Sequence, residues 1–322
     1  MLSKLISIGE VLVDFIPIQK DTKLKDVLSY ERMAGGAPAN VAACVSKLGG
    51  ESIVLSKLGT DAFGDFLIQE LKDCKIDTAE ILRTNEAKTG LAFVSLDNNG
   101  NRDFSFYRNP SADMLLNELD INENLFSNSD ILHFCSISLI DAPIKKAHKI
   151  ALQYAIKHNC IISFDPNIRL PLWNNPNDLK STILEFMPYA HILKISDDEL
   201  EFITGTKNIE DALTKLFIGN VQLVLLTKGK NGCELHSPKG LVTHPGFKVQ
   251  AKDTTGAGDG FIGAFLFQLL QNKRDIVNLL DTDFYPLLEF ANAVGAIVAS
   301  KKGAMKSMPQ INEVYNVIKK SC

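Results

Sequence analysis

"DTTGAGDGFIGAFLFQLL", residues 253 to 270, passes from a glycine-rich loop directly into an apolar helix. Gly260, Gly263 and Ala264 keep that helix thin enough to pack closely on a neighbour. Gly256, Ala257 and Gly258 fall at or just before its N-terminus, where unpaired N–H groups and the positive end of the macrodipole can hold a phosphate. The stretch lacks the Lys of a G-x-x-x-x-G-K-[ST] loop and the spacing of G-x-G-x-x-G. It carries a carboxylate instead. Asp259 is either a favourable charge in a first helical turn, or a base that takes a proton from an alcohol attacking the bound phosphate. The local residues leave both readings open.

Before and after this stretch, short apolar runs alternate with amphipathic helices. Strands are expected at "LISIGEVLV", "SIVLSKLG", "DILHFCS", "CIISFDP", "HILKIS" and "VQLVLLTKG", several of them apolar on both faces, as in parallel strands covered by helices. Helices are expected at "PANVAACVSKLG", "DAFGDFLIQELKDC", "APIKKAHKIALQYAIKH" and "NIEDALTKLF", then near 258–271, 284–300 and 310–320. This order predicts an α/β fold, a three-layer α/β/α sandwich around a mostly parallel sheet.

One region breaks the rhythm. "KTGLAFVSLDNNGNRDFSFYR", residues 88–108, alternates with period two across "NNGN" and reads as a hairpin. With the extended stretch "DTKLKDVLSYERMAG" it predicts a small β-sheet lid built from about 11–34 and 88–109 on a single catalytic domain spanning 1–322.

Bulk properties narrow the class. The 322 residues are 45% hydrophobic with net charge −4, which supports a large core and argues against a broad nucleic-acid surface. Six scattered cysteines without a C-x-x-C pair suit a reducing, cytoplasmic setting. The histidines show no metal-ligand spacing, and no apolar run is long enough to cross a membrane.

A second constellation, "MAGGAPANVAACVSKLG" at residues 33–49, places Gly35 and Gly36 before a Pro-started helix with Asn40 in its first turn. The glycines allow close approach of backbone to a ligand, and Asn40 can donate and accept to sugar hydroxyls. Alone it is a turn and a helix start. Together with residues 253–261 it resembles the two signatures of the ribokinase-like, phosphofructokinase-B-type sugar kinases. "GEVLVDFIP", "DPNIRLPLW", "LLTKGKNG" and "ANAVGAIVASKKGAM" match that family in order and spacing, and "FSFYRNPSADMLL" is most similar to its fructokinase branch.

The resemblance implies an ATP-dependent kinase acting on a free sugar, with Asp259 as general base and Gly256, Ala257 and Gly258 as anion hole. It places Asp14, Gly35, Gly36 and Asn40 on the sugar. Lys194, Thr227, Lys228, Gly229, Gly232 and Asn292 fall to ATP, and Glu199 to Mg²⁺ through water, with Ser196 standing where the family often has Asn. Asp197 and Asp198 read as an ordinary acidic first turn. Asp253, Thr255, Gly303 and Ser307 fall at the positions of a K⁺ site. Arg108 and Arg169 can fork onto a carboxylate or lie along a polyol, and Phe104 and Phe106 could cover the sugar. D-fructose is the expected acceptor, with 2-keto-3-deoxygluconate, or another sugar or nucleoside taken by ribokinase-like kinases, as the alternative. A non-catalytic sugar-binding regulator is a different class, which an intact anion hole with its base argues against. The lid could also pair with its copy in a homodimer.

Overall fold

The computed structural model describes residues 4–19, 22–96, 102–128 and 130–321. In chain order it contains β1 (Lys4–Ile8), β2 (Leu12–Pro17), β3 (Tyr30–Gly35), α1 (Ala37–Lys47), β4 (Glu51–Gly59), α2 (Ala62–Asp73), β5 (Ile81–Thr84), β6 (Leu91–Leu96) and β7 (Arg102–Tyr107). There follow β8 (Ile131–Cys135), α3 (Pro143–Lys157), β9 (Ile161–Asp165), α4 (Pro176–Phe186), β10 (Ile192–Ser196), α5 (Asp197–Thr204), α6 (Ile209–Leu216) and β11 (Leu223–Thr227). The last third holds β12 (Cys233–Ser237), β13 (Gly240–His244), α7 (Ala257–Gln271), α8 (Phe284–Ala299), α9 (Ala304–Ser307) and α10 (Ile311–Ser321).

Nine strands form the main sheet in the order β13-β12-β11-β10-β9-β8-β1-β4-β5. The pairs from β11 to β5 are parallel, and β12 and β13 add an antiparallel edge. Alternation along each strand divides the core in two. Leu5, Ile131, Ile161, Ile192 and Leu223 face α1, α2, α7 and α8. Their neighbours Ile6, Leu132, Ile162, Leu193 and Val224 face α3, α4, α5 and α6. Burying both faces is why these strands read as continuous apolar runs; each such side chain contributes about 1.5–3 kcal/mol.

One expected strand is divided. "LISIGEVLV" is not continuous: β1 ends at Ile8, and β2 belongs to the second sheet. The break falls at Gly9, whose φ is +148° and where a Cβ would lie 2.6 Å from Pro38 Cγ. Glu10 then turns inward. Hydrophobicity alone could not mark this switch, because both halves are buried.

The second sheet has the order β3-β2-β6-β7 and joins the two segments expected to form it. Its two hairpins meet through a parallel β2–β6 pair. The expected turn at "NNGN" lies outside the described residues. On one face Phe15 stacks on Phe93 with centroids 4.7 Å apart, and Phe63 of α2 meets Phe15 edge-on at 5.8 Å. Arg32 sits 3.8 Å over the Phe66 ring, so α2 anchors this face. The opposite face carries Asp14, with Met33, Ala92 and Phe106 alongside it in register. The C-terminal ends of the parallel strands and the N-terminus of α7 complete the cleft below, the usual ligand edge of an open α/β sheet.

Candidate active site

Gly256 caps α7 in the left-handed region, with φ +77°, and a side chain there would come within 2.6 Å of Ala304 Cβ. Only glycine fits both demands. The Ala257 N–H is taken by the Thr254 carbonyl at 3.2 Å, so this amide turns the loop. A Cβ on Gly258 would lie 3.1 Å from Lys194 Nζ. The helix start and an ammonium therefore converge on one spot, a site for an anion.

Asp259 is buried in the first turn of α7, and its carboxylate does not cap its own helix. Asn40 Nδ2 donates to Oδ2 at 2.8 Å, and Asn167 Nδ2 donates to Oδ1 at 3.1 Å. Burial raises its pKa above the ordinary carboxylate value, offset in part by Asn40, Lys194, Arg169 and Asn167. Asn40 Oδ1, also buried, has no hydrogen-bond partner among the described residues. An acceptor so placed beside a carboxylate suits a hydroxyl of a bound ligand.

The turn after β9 supplies residues that the sequence reading passed over. Asp165 Oδ2 accepts from Lys194 Nζ at 2.9 Å, while Oδ1 accepts the Asn167 N–H at 3.1 Å. Burial alone would discharge Lys194, yet Asp165 and then Glu199 outweigh it and hold the ammonium charged. Asn167 has φ +44°, a conformation that Asn tolerates better than most side chains. Its signal was the D-P-N triplet, a turn former, but nothing local revealed which partner the amide would meet.

Glu199, expected beside Mg²⁺ through water, has both carboxylate oxygens engaged by protein donors. Its Oε2 accepts from the Ser196 N–H and Oγ, both at 2.9 Å, and Oε1 accepts from the Ile168 N–H at 2.7 Å. Burial would raise this carboxyl, but Lys194 and the backbone donors hold it below the usual range. Glu199 thus locks the start of α5 to the β9 turn, and Ser196 is the N-terminal cap residue. Asp197 and Asp198 are exposed in the first turn, as expected.

On the acceptor side Asp14 is half-buried, with its pKa raised to about 7, chiefly by desolvation, against the opposing pull of Arg169. Gly35 and Gly36 make room for protein atoms. A Cβ at Gly35 would lie 2.0 Å from Asp14 Oδ2, and one at Gly36 would lie 2.3 Å from the Glu10 carbonyl oxygen. Arg169 is half-buried, donates to the Ile168 carbonyl at 2.9 Å and makes no ion pair among the described residues. Phe106 is half-buried on the Asp14 face; the Phe104 side chain lies outside those described.

Arg108 departs most from expectation. It is buried, and its fork is held by Asp113 through Nε at 3.0 Å and through Nη2; Nη1 donates to the Ile137 carbonyl at 3.3 Å. Glu10 lies in the same network, accepting from Ser138 Oγ at 2.5 Å and from the Ala37 N–H at 3.0 Å. These bonds tie the end of β7 to the start of α1.

Beyond α7, Thr227 Oγ1 donates to the Ile195 carbonyl at 3.3 Å, and Lys228 pairs with Glu234. Gly229 and Gly232 have φ +52° and +82°, and a Cβ at Gly232 would meet the His244 carbonyl oxygen at 2.0 Å. The buried Asn292 amide donates to the Leu288 carbonyl at 2.8 Å and Cys233 Sγ at 3.0 Å. Asp253, Thr255, Gly303 and Ser307 do come together. Asp253 accepts from Thr255 Oγ1 at 2.6 Å and from the Gly303 N–H at 3.0 Å, while Ser307 donates to the Gly303 carbonyl. Among the described residues no group of three His, Cys, Asp or Glu side chains could hold a metal ion.

The N-terminus of α7, the Lys194 ammonium and the buried Asp259 carboxylate adjoin at this edge of the sheet, an arrangement that suits transfer of a phosphoryl group to an alcohol. It defines the ribokinase-like class of phosphotransferases. The chain belongs to the pfkB family of carbohydrate kinases, whose model matches residues 2–311. It is 41% identical to a probable fructokinase-2 of Arabidopsis thaliana over 98% of this chain and 95% of the relative. Its structure matches the Xylella fastidiosa fructokinase with bound ATP at TM-score 0.92 and 34% identity, covering 100% of this chain and 99% of that one. A double mutant of the Vibrio cholerae O395 fructokinase, solved with fructose, ADP and potassium ion, matches at TM-score 0.87 and 31% identity over 98% of both chains. The protein is a sugar kinase, a phosphotransferase acting on a hydroxyl.

Proposed function

We propose that the protein transfers the γ-phosphoryl group of ATP to a hydroxyl of D-fructose, giving fructose 6-phosphate and ADP. The observation that carries this reading is the buried Asp259 carboxylate, held by two amide side chains at the N-terminus of α7. The sugar oxygen attacks the γ-phosphorus as the bond to the bridging oxygen breaks. ADP leaves with that electron pair, and the hydroxyl proton passes to Asp259. Raised basicity suits this step, because a stronger base takes the proton more readily.

Gly258 and Lys194 meet the negative charge of the migrating group, and Gly256 shapes the turn that exposes the amides. Mg²⁺ bound with ATP supplies charge neutralisation on the phosphates. Asp14 and Asn40 Oδ1 accept from sugar hydroxyls, and Phe106 on the small sheet shields the acceptor from water as that sheet closes as a lid. The 253–255 and 303–307 loops, joined through Asp253, suit a K⁺ ion beside the anion hole, and a double mutant of the Vibrio cholerae fructokinase is itself a potassium-bound protein.

Arg169 favours one second reading. Its side chain carries donors beyond the one given to Ile168 and lies close enough to pull on Asp14 and Asp259, so it could fork onto a sugar acid. Coupled ADP release with fructose, 2-keto-3-deoxygluconate, ribose and adenosine decides between them. Highest kcat/KM on fructose supports the first reading, and highest on the sugar acid replaces it.

A further inference from the structure

We infer that the turn Asp165-Pro166-Asn167 is a positioning element for phosphoryl transfer, in which Asn167 orients Asp259 toward the acceptor and Asp165 aims Lys194 at the phosphoryl group. The inference rests on the reading of Asp259 as the base. Three bonds define the element. Asn167 Nδ2 reaches Asp259 Oδ1 at 3.1 Å, Asp165 Oδ2 holds Lys194 Nζ at 2.9 Å, and the Asn167 N–H closes the turn on Asp165 Oδ1 at 3.1 Å. One short segment therefore touches both partners of the reaction, the proton acceptor and the cation beside Gly258. It also sets their separation.

The backbone supports a dedicated role. Asn167 sits at φ +44° and is buried, an arrangement with a local cost for a non-glycine residue. Glycine would satisfy the backbone without strain, so what Asn adds is the amide. Glu199 braces the same turn from α5 through the Ile168 N–H at 2.7 Å. Each oxygen of Asp259 then has one amide donor, Asn40 from α1 and Asn167 from the turn. Losing either leaves the carboxylate free to rotate and removes a donor that favours its ionised form.

Several charged or titratable groups act on Asp259. Lys194 from β10 and Arg169 from the segment after β9 favour its ionised form, while Asp14 from β2 and Asp165 from β9 oppose it. The buried thiols of Cys44 and Cys135 also lie within its field and stay protonated. Asn167 is neutral. Its removal changes donors and orientation without changing net charge, which separates its effect from theirs.

The test compares Asn167→Gly and Asn167→Asp with the native enzyme, using ATP and the best sugar of the panel. Glycine keeps the backbone conformation and deletes the amide; aspartate keeps the shape and presents an acceptor. For Asn167→Gly we expect kcat to fall about 10- to 100-fold, the size of one hydrogen bond to a charged group, with KM for ATP within about twofold. The acidic limb of its kcat profile should move to higher pH, and further still for Asn167→Asp, where a second carboxylate opposes ionisation. A purely structural turn would lower thermal stability and leave that limb in place. Native kcat and an unmoved limb in either folded variant overturn the inference. Asp259→Asn runs alongside: retained turnover there defeats the base reading itself, whereas an inactive Asp259→Asn with unchanged Asn167 variants defeats only the role of the turn.

Discussion

Asn40 and Asp259 meet at 2.8 Å across 219 residues of chain because α1 and α7 touch along a seam of small side chains. A Cβ on Gly263 would come within 2.7 Å of Cys44 Cβ, and Cys44 Sγ donates to the Gly260 carbonyl at 3.4 Å. The apolar helix that starts at the glycine loop is thus pressed onto the helix that starts at the glycine pair. Packing, not local sequence, brings the acceptor-side amide to the carboxylate.

Widening that seam should disturb chemistry as well as stability. Gly263→Ala is expected to cost about 1–3 kcal/mol in denaturant unfolding, the usual range for overpacking. It should also lower kcat at unchanged KM for ATP, because Asn40 moves with α1. Full kcat in a destabilised variant would mean that the seam does not set the Asn40–Asp259 distance.

Asp259→Asn should lose roughly 10²- to 10⁴-fold in kcat while binding ATP and sugar nearly as the native protein does. Steady-state turnover and calorimetric titration measure the two halves. Weakened binding with turnover preserved would assign Asp259 to recognition.

Gly35→Ala should act on the sugar alone. Its methyl would occupy the place of Asp14 Oδ2, 2.0 Å away, so the carboxylate must turn aside. KM for sugar is expected to rise about tenfold or more, the loss of one hydrogen bond to a charged group, with KM for ATP unchanged. An equal rise in both would place the damage in the fold.

Most of the main sheet was legible in the sequence because its strands are buried on both faces and flanked by strongly amphipathic helices. The divided first strand was not: Ile8 and Leu12 are both buried, and Gly9 marks the change of sheet. Asp259, Asn40 and the glycine loop could be picked out because their order along the chain resembles the family's signatures, and the structure brings Asn40 and Asp259 into one hydrogen bond. Asn167 and Glu10 were missed for the opposite reason. Each acts through a partner brought near by tertiary packing, and a side chain's partner is not written in its neighbours. Arg108 looked like a ligand residue from its place after the hairpin, and its carboxylate partner five residues on turns it inward.

That inward turn makes Arg108 a test of structure against recognition. Arg108→Met leaves Asp113 and Glu10 buried without their cation, and should cost about 3–5 kcal/mol in unfolding free energy. Arg108→Met combined with Asp113→Leu should recover much of that loss. Urea denaturation of the native, single and double variants gives the comparison. A stable single variant that merely loses sugar affinity would return Arg108 to the acceptor.

Asp14 gives the acceptor site a pH dependence whose sign follows from its environment. Desolvation, aided by Glu10, Asp259 and Asp253 and opposed by Arg169, brings its pKa to about 7 from an ordinary 3.8. Ionised, it accepts from sugar hydroxyls; as pH falls through 7 it takes a proton and loses acceptor capacity. KM for sugar should therefore rise below pH 7, by at most about tenfold per pH unit for a single group. Asp14→Asn should raise KM at pH 8 and flatten this slope. The fold responds in the same window with the opposite sense. The native state binds this proton more tightly than the unfolded chain, so Asp14 withdraws stability as pH rises from about 4 to 7. The stability of Asp14→Asn relative to the native protein should accordingly be greater at pH 8 than at pH 5. Equal differences at both pH values, with a sloping KM still present in Asp14→Asn, would move the titration to another group.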